Sequence, residues 1–164
     1  MKPTEYFPTV DELGRVTGKA TRSECHGGSK ILHPVVHLHI FNSEGCLYLQ
    51  KRADHKDIQP GKWDTAVGGH VDYGEVPLEA LYRESREELG VCGFDASLMF
   101  RYVFESAVER EMVYSYRTVY DGPVTPDCDE VPEGRFWRID EIRAWLGKGV
   151  FTPNFEYEFS LMNL

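Results

Sequence analysis

Long apolar runs and an excess of positive charge are both missing from this sequence. No stretch approaches the roughly 18 consecutive apolar residues that a transmembrane helix needs, and residues 1–6 (MKPTEY) have no apolar core of the signal-peptide type. The 18 basic residues are outnumbered by 27 acidic ones, which gives a net charge of −9. We therefore expect no binding to membranes or nucleic acid, and a cytoplasmic location.

Cysteines are also few and widely spaced. The four of them, Cys25, Cys46, Cys92 and Cys128, contain no Cys-x-x-Cys pair, which argues against a zinc knuckle. Without an export signal we expect free thiols rather than disulfides. Repeats and low-complexity segments are missing too, and a chain of 164 residues is long enough to bury one sizeable core. The sequence therefore predicts a single domain over residues 1–164.

Apolar patterns and turn residues divide the chain into strands and helices. An N-terminal hairpin is predicted at about residues 4–22, followed by a loop at 23–30. Further strands are predicted at 34–41, 46–52, 63–67, about 99–105, about 112–120 and 135–139. Helices are predicted at 77–89, at 141–146 with Asp140 as the N-cap, and from Thr152-Pro153 towards Leu161. This mixed order predicts an α/β/α sandwich with a central mixed β-sheet.

The helix at 77–89 is the most strongly marked element. Pro77 suits the first helical turn, and Gly90 suits the position just past the C-terminus. Residues at helical spacing predict its buried stripe, namely Leu78, Leu81, Tyr82, Ser85 and Leu89. Glu84, Glu87 and Glu88 fall within one arc of roughly 100° beside that stripe, and Ala80 in the same arc leaves room for a ligand.

Three glutamates on one arc are unfavourable for an isolated helix, because like charges at i, i+3 and i, i+4 repel. A divalent cation removes that repulsion, since it binds several oxygen ligands together. Bound ions could also polarise a diphosphate and activate a water. The alternative is a solvated acidic face whose charge is balanced by Arg83 and Arg86.

The glutamates belong to a longer pattern that runs from Gly69 to Val91. The segment resembles the Nudix box, G-x5-E-x7-R-E-U-x-E-E-x-G-U with U aliphatic, and the matching positions are Gly69, Glu75, Arg83, Glu84, Glu87, Glu88, Gly90 and Val91. Ser85 replaces the usual aliphatic residue, which bears on core packing rather than on the metal site. The resemblance implies a hydrolase that binds Mg²⁺, or Mn²⁺, through Glu84, Glu87, Glu88 and the Gly69 carbonyl. It also implies that Arg83, paired with Glu75, orients the glutamates.

A wider segment, from about Val10 to Val91, resembles type I isopentenyl-diphosphate isomerases, which share the Nudix fold. That resemblance implies diphosphate-binding residues at Arg22, Arg52 and Lys56, and a second metal site at His26, His33, His70, Glu109 and Glu111. The alternative is that the histidines are structural and the two glutamates exposed. His37 and His39 share one face of their strand, where packing or substrate lining is favoured over ligation.

The two resemblances imply different reactions. Isomerases of this type carry a cysteine just before a Gly/Ser-His pair, and that position is Gly68 here, whereas all the box glutamates are present. Hydrolysis of the diphosphate bond in a nucleoside diphosphate derivative or a related small molecule is therefore favoured over isomerisation, and over a Nudix module that only binds nucleotides. Candidate general bases are Glu88, Glu105 and Glu109. The oligomeric state stays open, with a homodimer as the commonest assembly.

Overall fold

The computed structural model describes residues 3–54, 59–127 and 133–164. Strands lie at Tyr6–Val10 (β1), Val16–Thr21 (β2), Leu32–Phe41 (β3), Leu47–Lys51 (β4), Trp63–Thr65 (β5), Val67–His70 (β6), Ser97–Glu105 (β7), Arg110–Val119 (β8) and Glu133–Trp137 (β9). Helices lie at Arg22–His26 (α1), Pro77–Leu89 (α2), Ile139–Trp145 (α3) and Pro153–Met162 (α4). None of the helices in these ranges is long and apolar enough to cross a membrane.

The long strand β3 is the centre of a mixed sheet. It pairs in parallel with β8 over its whole length and antiparallel with β6. Its last residue, Phe41, pairs with Leu47 of β4. The order β5-β4-β3-β8-β7 is completed by β6 on β3 and by β9 on β4. The predicted N-terminal hairpin is present as β1 and β2, which form a separate two-stranded sheet.

Helices cover both faces of this sheet. Alternate residues of β3, among them Leu38 and Ile40, pack with Leu81 and Leu89 of α2 on one face. A second core surrounds α3 and α4, and it consists of Phe41, Leu47, Leu49, Trp137, Ile142, Phe151, Phe155 and Phe159. A strand that is covered on both faces has no side that faces solvent, which explains why β3 is buried along nearly its whole length. The prediction of an α/β/α sandwich around a central mixed sheet is confirmed.

Two segments differ from the sequence prediction in their strands and loops. The first residues of the predicted loop at 23–30 belong to the short helix α1. Thr21 caps this helix, because its hydroxyl accepts a hydrogen bond from the Glu24 amide at 3.2 Å. The predicted strand at 63–67 is two strands, because β5 pairs with β4 whereas β6 pairs with β3. Gly68 and Gly69 therefore lie within a strand of the sheet rather than in a loop after it.

Two predictions about helices are wrong. Arg138, not Asp140, is the N-cap of α3, because the Glu141 carboxylate accepts from the Arg138 amide at 3.1 Å. The buried stripe of α2 begins at Ala80 rather than at Leu78, which is exposed. Ala80 of α2 is buried in the core between this helix and the sheet, so it leaves no space for a ligand.

Candidate active site

One cleft of about 920 Å³ contains candidates from both sequence patterns. The candidates that line it are Gly69, Arg83, Glu84, Glu87 and Glu88 from the Nudix-like segment, and Arg22, His26, Arg52, His70, Glu109 and Glu111 from the second set. Glu75 and His33 lie behind this lining, where they contact Arg83 and His70 respectively. Lys56 lies outside the described residues. Residues far apart in sequence are thus brought together in one space.

Arg83 organises the wall of the cleft that α2 contributes. Its guanidinium donates to both carboxylate oxygens of Glu75, at 2.9 and 3.0 Å, and to the His70 carbonyl at 3.0 Å. It also donates to Glu84 at 2.8 Å and to Glu87 at 3.3 Å. These bonds, led by those to Glu75, hold the pKa of Arg83 above its ordinary value. Arg83 therefore fixes the direction of two of the three glutamates on the acidic arc of α2, Glu84 and Glu87, and Glu75 fixes Arg83.

The backbone of β6 lies directly against the same glutamates. A Cβ atom at Gly69 would stand 2.3 Å from the Cδ of Glu84, so a side chain larger than hydrogen cannot be placed there without moving the carboxylate. The Gly68 amide donates to the Glu88 carboxylate at 3.3 Å. This close approach fits a cation held jointly by carboxylates and a backbone carbonyl, since Mg²⁺ binds oxygen ligands of both kinds.

Two arginines bring positive charge to the cleft from other elements. Arg22, the first residue of α1, is paired with Glu5 at 3.3 Å. Arg52 follows β4 and lies 3.6 Å from Asp64. Glu105, a candidate general base, does not line this cleft and is paired with Lys30 at 3.1 Å. The candidates for a base that do line it are Glu88 and Glu109.

Three histidines and a glutamate form a compact group in the cleft. The potential ligand atoms of His26, His33, His70 and Glu111 all lie within 4.8 Å of one another. The Nε2 atoms of His26 and His70 are 3.0 Å apart, and an oxygen of Glu109 lies 3.3 Å from His26. The group is assembled from α1, β3, β6 and β8. Both glutamates are largely buried rather than exposed.

The electrostatics of this group favour the neutral form of His33 and His70. Burial, together with the charge of Arg22, lowers the pKa of His70 to about 3, and burial also lowers the pKa of His33. Burial and the adjacent carboxylate of Glu109 raise the pKa of Glu111 to about 7. The Nε2 atom of His33 is buried and has no hydrogen-bonding partner among the described residues. A neutral, buried nitrogen that faces other donor atoms fits a metal ligand, and a set of imidazoles and a carboxylate suits a transition metal or Mg²⁺.

Glu158 is the centre of a buried polar network, and no pattern in the sequence indicated this glutamate. This residue of α4 accepts hydrogen bonds from the Tyr102 hydroxyl at 2.7 Å and the Ser115 hydroxyl at 2.5 Å. It also contacts Nε2 of His39 at 2.9 Å and Nδ1 of His37. The sequence held one signal of this network, namely His37 and His39, two of the three histidines on a strand that is otherwise apolar.

Known proteins resemble this chain over most of its length. The NUDIX domain model matches residues 31–155. An uncharacterised Nudix hydrolase from Listeria monocytogenes is 35% identical over 155 residues, which cover 92% of this chain and 90% of the relative. An isopentenyl-diphosphate Delta-isomerase from Mycolicibacterium vanbaalenii is 36% identical over 148 residues, covering 85% of this chain and 81% of the relative.

Solved structures agree with this result at the level of the fold. A crystal structure of a protein from Deinococcus radiodurans aligns with a TM-score of 0.75 and 24% identity, covering 90% of this chain and 92% of the other. The family model and the sequence relatives go further, and they confirm the resemblance that the box residues predicted. The chain therefore belongs to the Nudix hydrolase family, in the branch that also contains isopentenyl-diphosphate isomerases.

Proposed function

We propose that this Nudix hydrolase is a Mg²⁺-dependent pyrophosphohydrolase, with Mn²⁺ as an alternative metal, that cleaves the diphosphate bond of a nucleoside diphosphate derivative or a related small molecule. The observation that carries the proposal is one cleft in which Glu84, Glu87 and Glu88 lie together with Arg22 and Arg52. Carboxylates bind the cation and arginines bind substrate phosphate. Hydrolysis needs both kinds of group around the same bond.

The contacts of the box residues support a division of roles. Glu84, Glu87 and Glu88, with the Gly69 carbonyl, are the proposed ligands of the cation. A bound cation of this kind polarises the phosphoryl group and activates a water. Arg83 would keep its position if Glu84 and Glu87 turned to a cation, because its bonds to Glu75 and the His70 carbonyl are separate from its bonds to those two glutamates.

The histidine group supports a second cation site as part of the same proposal. His26, His33, His70 and Glu111, with Glu109 beside them, would hold this cation near the cleft that the glutamates of α2 also line. A second candidate function is isomerisation of a prenyl diphosphate, because relatives named isopentenyl-diphosphate Delta-isomerase are 32–36% identical to the chain. Gly68 opposes this second function, since it offers no side chain for proton transfer.

The test of the proposal is turnover by the purified protein. A panel of nucleoside diphosphates, nucleoside diphosphate sugars, dinucleoside polyphosphates and prenyl diphosphates would be incubated with Mg²⁺ or Mn²⁺, and the products separated by chromatography. We expect cleavage of at least one diphosphate bond, which EDTA abolishes. A protein that cleaves none of these compounds with either metal would overturn the proposal.

Glu88→Gln examines the role of the box helix directly. The substitution preserves size and removes one charge, and we expect turnover to fall by roughly a hundredfold or more, because a bound cation contributes several kcal/mol to stabilising the transition state. The matched control is Glu79→Gln on the same helix, since Glu79 accepts the Val76 amide outside the cleft. Equal activity in both variants would contradict the role assigned to Glu88.

A further inference from the structure

The Glu158 network reaches from the buried side of the sheet into the cleft. Glu158 and His39 are completely buried, whereas the side chain of His37 is 17% exposed and lines the cleft. Nδ1 of His37 contacts Glu158, so the opposite edge of the ring, which carries Nε2, is directed away from the carboxylate. His37 thereby connects a buried carboxylate with the space that contains the box glutamates.

Gly68 keeps this edge of the ring uncovered. Gly68 is the β6 partner of His37 in the sheet, and a Cβ atom there would lie 3.4 Å from Cδ2 and 3.8 Å from Nε2 of His37. Any side chain at this position would extend over the imidazole. Because Gly68 has none, the Nε2 edge of His37 is accessible from the cleft. Among the described residues, Nε2 makes no hydrogen bond that would occupy it.

The charge of the network favours a protonated His37. Burial opposes the charged form, but the Glu158 carboxylate outweighs it and raises the pKa of His37 to about 9. Asp64 of β5 and Glu111 of β8 act in the same direction. Burial also opposes the charge of Glu158, and the two histidines outweigh it and lower the pKa of the carboxyl. His37 is thus a cation in a cleft whose other lining includes many carboxylates.

We propose that His37 is a substrate-binding residue, whose Nε2–H donates a hydrogen bond to an anionic phosphate oxygen, and that Glu158 is the positioning residue that orients its ring. The identity of the ligand as a phosphate rests on the function proposed above. A third cationic group at the floor of the cleft would complement Arg22 and Arg52, which approach from other elements. Glu158 is completely buried and does not line the cleft, so it cannot contact the ligand itself.

Binding of methylenediphosphonate, a diphosphate analogue that cannot be hydrolysed, measures this role without turnover. In calorimetric titrations with Mg²⁺, we expect His37→Asn to weaken binding about tenfold or more, since a hydrogen bond to a charged group contributes about 1.5–3 kcal/mol. Asparagine can still donate to Glu158 from the place of Nδ1, but it has no group at the place of Nε2. His39→Gln is the matched control, because His39 bonds to the same carboxylate outside the cleft. Unchanged affinity in His37→Asn would overturn the proposal.

The positioning role of Glu158 has a separate readout. In nitrogen NMR of histidine-labelled protein, we expect His37 to titrate near a pH of about 9 and, in Glu158→Gln, near or below its ordinary value. The Tyr102 and Ser115 hydroxyls also donate to this carboxylate, and both residues are retained in the variant. Affinity for methylenediphosphonate at a pH between the two values should fall in Glu158→Gln. A His37 pKa that does not move would overturn the positioning role, even if the variant is less stable.

The two proposals fail in different ways. If no diphosphate is hydrolysed but His37→Asn still weakens methylenediphosphonate binding, the pyrophosphohydrolase proposal is wrong and the phosphate contact stands. If hydrolysis occurs and binding is unaffected by His37→Asn, only the role of His37 is wrong. Should His37→Asn fail to fold, the wild-type protein decides, because a direct contact must shift the His37 Nε2 resonance when methylenediphosphonate is added. The absence of such a shift would overturn the proposal.

Discussion

Single charged residues determine how this acidic protein can receive an anion. The net charge is −9, and the lining of the cleft includes carboxylates from α2, β5 and β8. Arg83 is committed to its own carboxylates, above all to Glu75. Arg22 and Arg52 have longer ion-pair contacts, at 3.3 Å to Glu5 and 3.6 Å to Asp64. Ion pairs of this partly exposed kind contribute little to stability, so a substrate phosphate can replace the carboxylate partner at low cost.

Arg52→Ala should therefore weaken substrate binding with little effect on the fold. We expect KM to rise roughly tenfold to a hundredfold, because a charge-assisted hydrogen bond contributes about 1.5–3 kcal/mol, while the melting temperature stays nearly constant. The control is Lys51→Ala, which removes a neighbouring cation that is paired with Glu133 at 3.9 Å and lies outside the cleft. Steady-state kinetics and thermal melts of both variants provide the measurement. An unaltered KM in Arg52→Ala would assign this residue to the solvated surface.

Among the elements, α2 could be predicted from the sequence because its signals are local. The predicted and observed bounds agree at Pro77–Leu89, and Gly90 ends the helix with a φ of 63°. The left-handed conformation of Gly90 carries almost no penalty in glycine. Ser85, the departure from the box pattern, is buried, and its hydroxyl donates to the Leu81 carbonyl at 2.7 Å. The polar group is thus satisfied within the helix, and the core tolerates it.

The carboxylate face of α2 should make the stability of the protein depend on metal. Glu84, Glu87 and Glu88 repel one another until a cation binds, and a ligand that binds only the native state stabilises it by about 2.7 kcal/mol at 100 times its Kd. For a chain of this size that corresponds to a rise in melting temperature of roughly 5–10 °C. We expect this rise with Mg²⁺ or Mn²⁺, measured by scanning calorimetry.

Two variants distinguish the loss of a proposed metal ligand from the loss of a negative charge elsewhere on α2. Glu84→Gln removes a proposed ligand and should abolish most of the metal-dependent rise in melting temperature. Glu79→Gln removes the same charge from the first turn of α2, outside the cleft, and should preserve the rise. A protein whose melting temperature does not respond to millimolar metal would argue against a preformed site on this helix.

For the whole molecule, the site depends on contacts that no local pattern encodes. His37 and Glu158 are 121 positions apart, and their contact forms because α4 packs on the face of β3 opposite α2. Resemblance to isomerases indicated that His26, His33 and His70 belong together, but only the packing of α1, β3 and β6 brings their nitrogens within reach. The same packing shows that Glu105 lies outside the main cleft, which its position in the sequence could not indicate.

The reaction that the whole cleft supports is hydrolysis, and we expect no isomerisation of isopentenyl diphosphate. Isomerisation requires a proton donor and a proton acceptor on opposite faces of the alkene. His26, His70 and Glu111 line the cleft, but Gly68 has no side chain that could donate or accept a proton at its own position. Hydrolysis requires an activated water and a stabilised leaving group, for which the glutamates of α2 and the arginines suffice.

Incubation with isopentenyl diphosphate and Mg²⁺ tests this expectation when the allylic isomer and the released phosphate are measured separately. We expect no dimethylallyl diphosphate above the uncatalysed level, whether or not phosphate is released. Gly68→Cys is the sharper probe, because the added Cβ atom would lie 3.4 Å from the His37 ring, an ordinary contact distance. A gain of isomerase activity in this variant would identify Gly68 as the residue that prevents the reaction. Formation of dimethylallyl diphosphate by the unaltered protein at an enzymatic rate would contradict the assignment to hydrolysis, because it would show that the reaction proceeds without a side chain at Gly68.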